Sequence, residues 1–166
     1  MRLHKKDTRT IGRVGVCLAF VSSSLVFAGS ASATTEIATA YDHGHGQFSV
    51  YLTGDEVRDR GDRAGRGVAR LDFDPENERV CYIITWGRLD GAVTDFHLHA
   101  SPRRSDGPIW INFFNNEHFD GDRNTVANCV HSARWKIRAV IDEPPDYYLM
   151  VHTTVHEAGA IRGQLG

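Results

Sequence analysis

Short stretches in which apolar and polar residues alternate fill the chain from about residue 47 onward. A period of two is typical of β-strands that pack one face against a core. Gly, Pro, Asp and Asn residues, which favour turns, separate the stretches. This pattern predicts an all-β domain, either an antiparallel Greek-key β-sandwich or a flattened barrel. The predicted strands are 47–53, 67–73, 80–86, 93–100, 108–114, 147–153 and 160–165.

Two segments do not follow the alternation. Residues 115–128 are long and polar, which predicts a loop. The apolar residues of 132–141 fit one face of a short helix and equally one face of a strand, and the Pro144-Pro145 pair ends either element. On the predicted strands, one apolar face is expected to form the core. The expected core residues are Phe48, Val50, Leu71, Ile83, Phe96, Leu98, Leu149 and Val151.

The first residues have the features of an export signal. A basic head containing Arg2, Lys5 and Arg13 precedes an apolar run, and Ala31-Ser32-Ala33 offers the small-x-small pattern of a cleavage site. The apolar run is shorter than the roughly 20 residues of a membrane-spanning helix. We therefore predict a signal peptide over 1–33 that is cleaved after Ala33, a flexible arm over 34–46, a domain over 47–166, and an extracellular location.

Charge narrows the classes of partner. The chain carries a net charge of −2, and removal of the basic leader would bring it to about −6. Nucleic acids and anionic lipid surfaces reward clustered Lys and Arg. The sequence thus predicts no nucleic-acid partner and no membrane association after cleavage. An extracellular protein or a small ligand remains as the expected partner.

Cys81 and Cys129 are the two cysteines that would remain after cleavage. An isolated pair in an exported protein usually forms a disulfide. The alternative, a thiolate metal site, lacks the Cys-x-x-Cys spacing of zinc sites. A Cys81–Cys129 bond is therefore predicted.

Histidines supply the candidate chemistry. In a strand, His97 and His99 share one face, opposite Phe96 and Leu98, with Cα atoms about 6.5–7 Å apart. With His152 as a third ligand from the outward face of a neighbouring strand, they could bind copper or zinc. The same imidazoles could instead form a structural hydrogen-bond network on the sheet. The His-x-His strand also resembles that of copper/zinc superoxide dismutase in architecture, but His118 and His131 do not match the other ligands in order or spacing.

Other polar and aromatic residues have simpler interpretations. Arg162 is predicted to clamp a loop carbonyl or a carboxylate such as Glu157 or Asp55. No Gly-x-Ser-x-Gly motif is present, and we predict no catalytic residues. A carbohydrate-binding surface would require coplanar, exposed tryptophans. The candidates for such a surface are Trp86, Trp110 and Trp135.

Several short motifs follow one another in a fixed order along the chain. They are Leu52-Thr53-Gly54-Asp55-Glu56-Val57, Gly67-Val68-Ala69, His97-Leu98-His99, Gly107-Pro108, Tyr147-Tyr148, Val151-His152-Thr153 and Arg162-Gly163-Gln164. Together they resemble the CHRD domain, a family of extracellular β modules named after chordin. The resemblance implies an all-β fold, favours the helical alternative at 132–141, and implies a secreted binding or structural module without an assured reaction.

Overall fold

A computed structural model of the chain describes residues 45–58 and 60–166. The predicted signal peptide, and the predicted arm as far as residue 44, lie outside the described residues. Within these described residues there are eight strands, one α-helix and two short 3-10 turns, Gly54–Glu56 and Pro144–Asp146. The strands are β1 (Gly46–Thr53), β2 (Arg66–Asp74), β3 (Arg79–Gly87), β4 (Val93–Ala100), β5 (Ile109–Phe114), β6 (Arg123–His131), β7 (Tyr147–Thr153) and β8 (Ile161–Gln164).

The strands form one antiparallel sheet in the order β5-β4-β7-β8-β1-β2-β3-β6. The sheet curls into a nearly closed barrel, which brings the hydroxyl of Tyr82 on β3 within 3.5 Å of the Phe113 carbonyl on β5. Thr53 and Arg162 are paired where β1 meets β8, so this contact joins the two halves of the sheet. The predicted all-β antiparallel fold is confirmed.

The core lies inside the barrel, and every strand except β6 contributes buried residues to it, while Val126 and Val130 of β6 pack against it and are partly buried. Six of the predicted core residues are buried, and Phe48 is half-buried against the core. The prediction for Ile83 was wrong, because its side chain is 48% exposed while Tyr82 and Ile84 face inward. Residues with high β-propensity occupy both faces of β3, so composition could not identify the inner one. The six buried residues are Val50, Leu71, Phe96, Leu98, Leu149 and Val151.

Helix α1 (Arg134–Asp142) confirms the helical alternative. It packs Ile137 and Val140 into the core, and its length is nine residues. Among the described residues, no helix is long and apolar enough to cross a membrane.

Strand β6 corrects the predicted loop at 115–128, because residues from Arg123 onward pair with β3 over nine positions. The alternation was hidden because β6 is an edge strand whose side chains are exposed or half-exposed throughout.

The predicted disulfide is present and joins Cys81 and Cys129, which lie directly opposite one another on β3 and β6. It closes a sequence separation of 48 residues, a constraint worth about 3–4 kcal/mol in the chain-entropy model.

Candidate metal site

Three histidines converge on the outer face of the sheet. His97 and His99 lie two residues apart on β4, and His152 lies on the adjacent β7, opposite Asp95. Their ring centroids are separated by 5.1 Å (His97–His152), 5.6 Å (His97–His99) and 6.0 Å (His99–His152). One nitrogen from each ring lies within 4.8 Å of the other two.

The histidine face is buried, although it lies opposite the core. His97 is 5% exposed and His99 is 8% exposed, whereas the sequence predicted only that these side chains point away from the core. The β4–β5 loop (101–108), the β5–β6 loop (115–122) and the β7–β8 loop (154–160) each contribute a contact to one histidine. Alternation correctly separated the histidines from Phe96 and Leu98, but it could not predict the loops above them.

Backbone carbonyls determine the tautomers of two histidines. Nδ1 of His99 donates to the Gly107 carbonyl at 2.9 Å, and Nδ1 of His152 donates to the Glu157 carbonyl at 2.8 Å. A carbonyl can only accept, so in both neutral rings Nε2 carries a lone pair. Both Nε2 atoms are buried without a hydrogen-bond partner in the described part of the chain.

The tautomer of His97 depends on Asn115. The side-chain amide of Asn115 lies 2.5 Å from Nε2 of His97. If the amide oxygen faces the ring, Nε2 donates and the buried Nδ1 keeps its lone pair. If the amide nitrogen faces the ring, an arrangement that also pairs Asn115 with Asn112, the proton lies on Nδ1. Rotation of one amide therefore determines whether His97 can act as a ligand.

Burial favours the uncharged form of two histidines. Burial, with smaller contributions from the neighbouring His97 and His152, lowers the pKa of His99 to about 4 against the opposing effect of the Gly107 carbonyl. Burial also lowers the pKa of His152, while the Glu157 carbonyl opposes that shift. At neutral pH both rings are therefore neutral, which is the form that binds metals.

The donor set fits a transition-metal ion. Imidazole nitrogens suit copper and zinc, and metal-binding histidines usually engage their second ring nitrogen with a carbonyl or carboxylate oxygen. Here that second contact comes from Gly107 and Glu157, and from the Asn115 amide when its oxygen faces the ring. The three nitrogens lie within 4.8 Å of one another. Side-chain rotations would have to bring each nitrogen to about 2.0–2.1 Å from a common ion, which is the usual zinc–nitrogen distance.

Arg162 is fully buried beside this site. Its guanidinium donates to the carbonyls of Ser105 and Pro102, at 2.9 and 3.2 Å, and to Oε1 of Gln164 at 3.1 Å. These contacts hold the β4–β5 loop against β8. Loop carbonyls were among the partners predicted for Arg162. The carboxylates suggested as alternatives, Glu157 and Asp55, are not among its contacts in the described part of the chain, where a carboxylate oxygen of Asp106 lies 3.7 Å from the guanidinium.

Tyr148 connects Arg162 to the histidines. Its ring stacks on His99 with a centroid distance of 4.9 Å and a 6° interplanar angle, and the Arg162 guanidinium lies 3.5 Å from its centroid on the ring face. Its hydroxyl accepts a hydrogen bond from the backbone N–H of Gly107, and the carbonyl of the same residue accepts one from His99. Sequence reasoning assigned Tyr148 no role, although the alternation on its strand placed it on the same face as His152.

A second group of potential ligands, Asp62, Asp90 and His156, also lies within 4.8 Å. The Asp62 carboxylate accepts hydrogen bonds from the backbone amides of Ala64, Gly65 and Asp90. These bonds organise the loop before β2, so a structural role accounts for the buried carboxylate.

The tryptophans do not form a carbohydrate platform. Trp86 is in the core, and Trp110 and Trp135 meet at 88° rather than lying coplanar. Lys136 lies over both rings, and its ammonium donates to the Trp110 carbonyl, so the cluster attaches α1 to β5.

Comparison with known proteins identifies one family. The family model of the CHRD domain matches residues 48–165, well over half of the chain and nearly all of its described part. No curated protein and no solved structure matches the chain. On the strength of the family match, and in agreement with its antiparallel β fold, the chain belongs to the CHRD-domain family.

Proposed function

We propose that this CHRD domain is an extracellular binding module whose ligand is a copper or zinc ion held by His97, His99 and His152. One observation carries the proposal: a buried nitrogen of each ring lacks a hydrogen-bond partner among the described residues, and the three rings converge. A buried polar group left unpaired costs about 1–3 kcal/mol. With the Asn115 oxygen facing His97, a single ion could accept all three lone pairs.

The competing interpretation is a structural hydrogen-bond network. Such a network pairs donors with acceptors, but His99 and His152 both present an acceptor at Nε2 because their Nδ1 protons are already used. The two atoms cannot bond to each other. Only His97, in the tautomer protonated on Nδ1, could donate toward them. This mismatch favours the ion over the network.

The extracellular setting is also part of the proposal. The predicted leader over 1–33 provides the export route, and a Cys81–Cys129 bond is compatible with an oxidising compartment. The domain would there bind its ion and, as a module, an extracellular protein or a small ligand. Intact-mass measurement of exported protein tests the setting, because cleavage after Ala33 leaves Thr34 as the first residue.

Calorimetric titration with Zn²⁺ and with Cu²⁺ tests the metal. We expect one tightly bound ion per chain and its loss in the triple variant His97→Ala, His99→Ala, His152→Ala. A matched control, His118→Ala with His131→Ala, removes exposed imidazoles outside the cluster and should retain the ion. Circular dichroism establishes that each variant keeps the β fold.

Two results would contradict the metal proposal. Equal binding by the wild-type chain and the triple variant would place the ion elsewhere. No binding by the wild-type chain at neutral pH would make the cluster a structural network in a module that does not bind metal. Elemental analysis of untagged protein purified from its source separates copper from zinc.

A further inference from the structure

Met150 occupies the centre of the histidine face. Tyr148, Met150 and His152 alternate along β7 and point to the same side of the sheet, opposite the buried Leu149 and Val151. In the β4–β7 register Met150 lies directly opposite His97. Side chains that face each other on antiparallel strands have Cβ atoms about 4.5–5.5 Å apart. Met150 is therefore a direct neighbour of His97, and it lies on the same face as His152, two residues away on the same strand.

The thioether of Met150 is buried beneath the loop that orients His152. Met150 is almost fully buried, and its Sδ lies against Gly159 in the β7–β8 loop. A Cβ at Gly159 would lie 2.4 Å from that sulfur, so glycine at this position leaves the space that the sulfur occupies. Gly159 also has a φ of +138°, a conformation that L side chains rarely adopt. The Glu157 carbonyl of the same loop accepts from His152.

We propose that Met150 supplies a soft sulfur donor to the ion and makes the site select copper, in particular Cu(I), over zinc. This inference rests on the proposed function. Three imidazoles suit both metals, so the histidines alone do not discriminate. Thioether sulfur is a soft ligand that favours Cu(I), whereas zinc sites in proteins use thiolate, imidazole and carboxylate. The alternative role of Met150 is that of an apolar filler, for which leucine is a good substitute.

X-ray absorption at the selenium edge tests the contact directly. Met1 and Met150 are the only methionines of the sequence, so selenomethionine labelling introduces two selenium atoms into the full chain and one, at Met150, into a chain cleaved after Ala33. In the Cu(I)-loaded chain we expect a copper atom bound directly to the selenium at Met150. The Met150→Leu variant retains the label only at Met1 and should lose that signal.

Affinity provides the second measurement. Under anaerobic competition with a chromophoric chelator, Met150→Leu should weaken Cu(I) binding by about tenfold or more and leave Zn²⁺ binding almost unchanged. Thermal unfolding of the metal-free variant should match the wild-type chain, because the exchange conserves volume.

The outcomes separate this inference from the proposed function. If Cu(I) binds, selenium shows no copper neighbour and Met150→Leu keeps its affinity, then the role of Met150 is overturned while the histidine site stands. An equal loss of Cu(I) and Zn²⁺ affinity would also overturn copper selection. If neither metal binds the wild-type chain, both proposals fail.

Discussion

The two halves of the sheet treat their outer faces differently. On β1, β2 and β3 the outer face is open to solvent, with Tyr51 77% exposed and Ile83 48% exposed. On β4, β7 and β8 the corresponding face carries His97, Tyr148 and Arg162, all of which are buried. Both halves alternate with the same period of two. Alternation thus identifies the two faces of a strand, and the covering of the outer face depends on loops.

The buried half places its most polar side chains where solvent is excluded. A buried polar group must be paired, because water no longer satisfies it. The terminal nitrogens of Arg162 meet this requirement through two loop carbonyls and Gln164, whereas its buried Nε has no hydrogen-bond partner among the described residues. The histidines meet it at only one nitrogen each. The unpaired Nε of Arg162 is a donor, whereas the unpaired Nε2 atoms of His99 and His152 are acceptors on rings that converge, so the histidine cluster is the candidate for binding a cation.

The largest expected difference in stability loss is that between alanine substitution at Leu98, which faces the core, and at Ile83, which lies on the face open to solvent. Leu98→Ala creates a cavity in the core and should lower the free energy of unfolding by about 2–5 kcal/mol. Ile83→Ala removes a half-exposed side chain and should cost less than about 1 kcal/mol. Urea denaturation of both variants measures the difference. Similar losses would show that the outer face of β3 is covered in solution.

Arg162→Ala should be the next largest change. It removes a fully buried side chain and leaves the partly buried carbonyls of Ser105 and Pro102 without their donor, at an expected cost of about 2–4 kcal/mol. Arg70→Ala, on the open face, should remain within about 0.5 kcal/mol of the wild-type chain. Urea denaturation gives both values, and hydrogen exchange in 101–108 should increase only for Arg162→Ala. Unchanged exchange there would contradict the clamp.

In the metal-free chain, acid should lower the stability of the half of the sheet whose outer face is buried. The pKa of His99 is about 4 in the folded chain and near 6.5 in the unfolded chain, so the unfolded state binds more protons between these values. Stability is therefore full above pH 6.5 and falls as the pH drops toward 4, by about 1–3 kcal/mol. His152, with its lowered pKa, adds to the fall.

Chemical denaturation at pH 7 and at pH 4.5 measures this loss. Between pH 7 and pH 4.5 the histidines titrate before Asp74 and Glu78 do. The pKa values of these two carboxyl groups are lowered, so they lose their stabilising charge only at lower pH. The His99→Gln variant should lose less stability than the wild-type chain over the same interval. An equal loss in both would assign the acid sensitivity to other groups.

The smallest expected effect concerns Asn115. Asn115→Asp replaces the amide with a group that can only accept, so it should hold the His97 proton on Nε2 and leave Nδ1 free. Metal affinity should rise by about tenfold, while Asn115→Ala should lower it by a similar factor. Nitrogen-15 shifts of the His97 ring report the tautomer. Weaker binding in both variants would show that Asn115 does not act through the tautomer.

Much of the fold could be predicted from local pattern. The inward positions of β1, β2, β4 and β7 follow from alternation, because each strand has one face against the core. The pattern failed at β3, where β-formers occupy both faces, and at β6, where neither face is fully buried. In both strands the residue pattern carries little information about burial, so only the packed barrel could resolve it.

The sequence by itself determined that His97 and His99 share a face, that His152 lies on the outward face of its own strand, and that Cys81 and Cys129 are available to pair. Only the tertiary structure decided that β4 and β7 are neighbours, that three loops bury the histidines, and that their second nitrogens are engaged. The physical reason lies in the groups to which these second nitrogens bond. Two of them are backbone carbonyls, which every residue carries, so no residue type marks the position where a carbonyl will orient an imidazole.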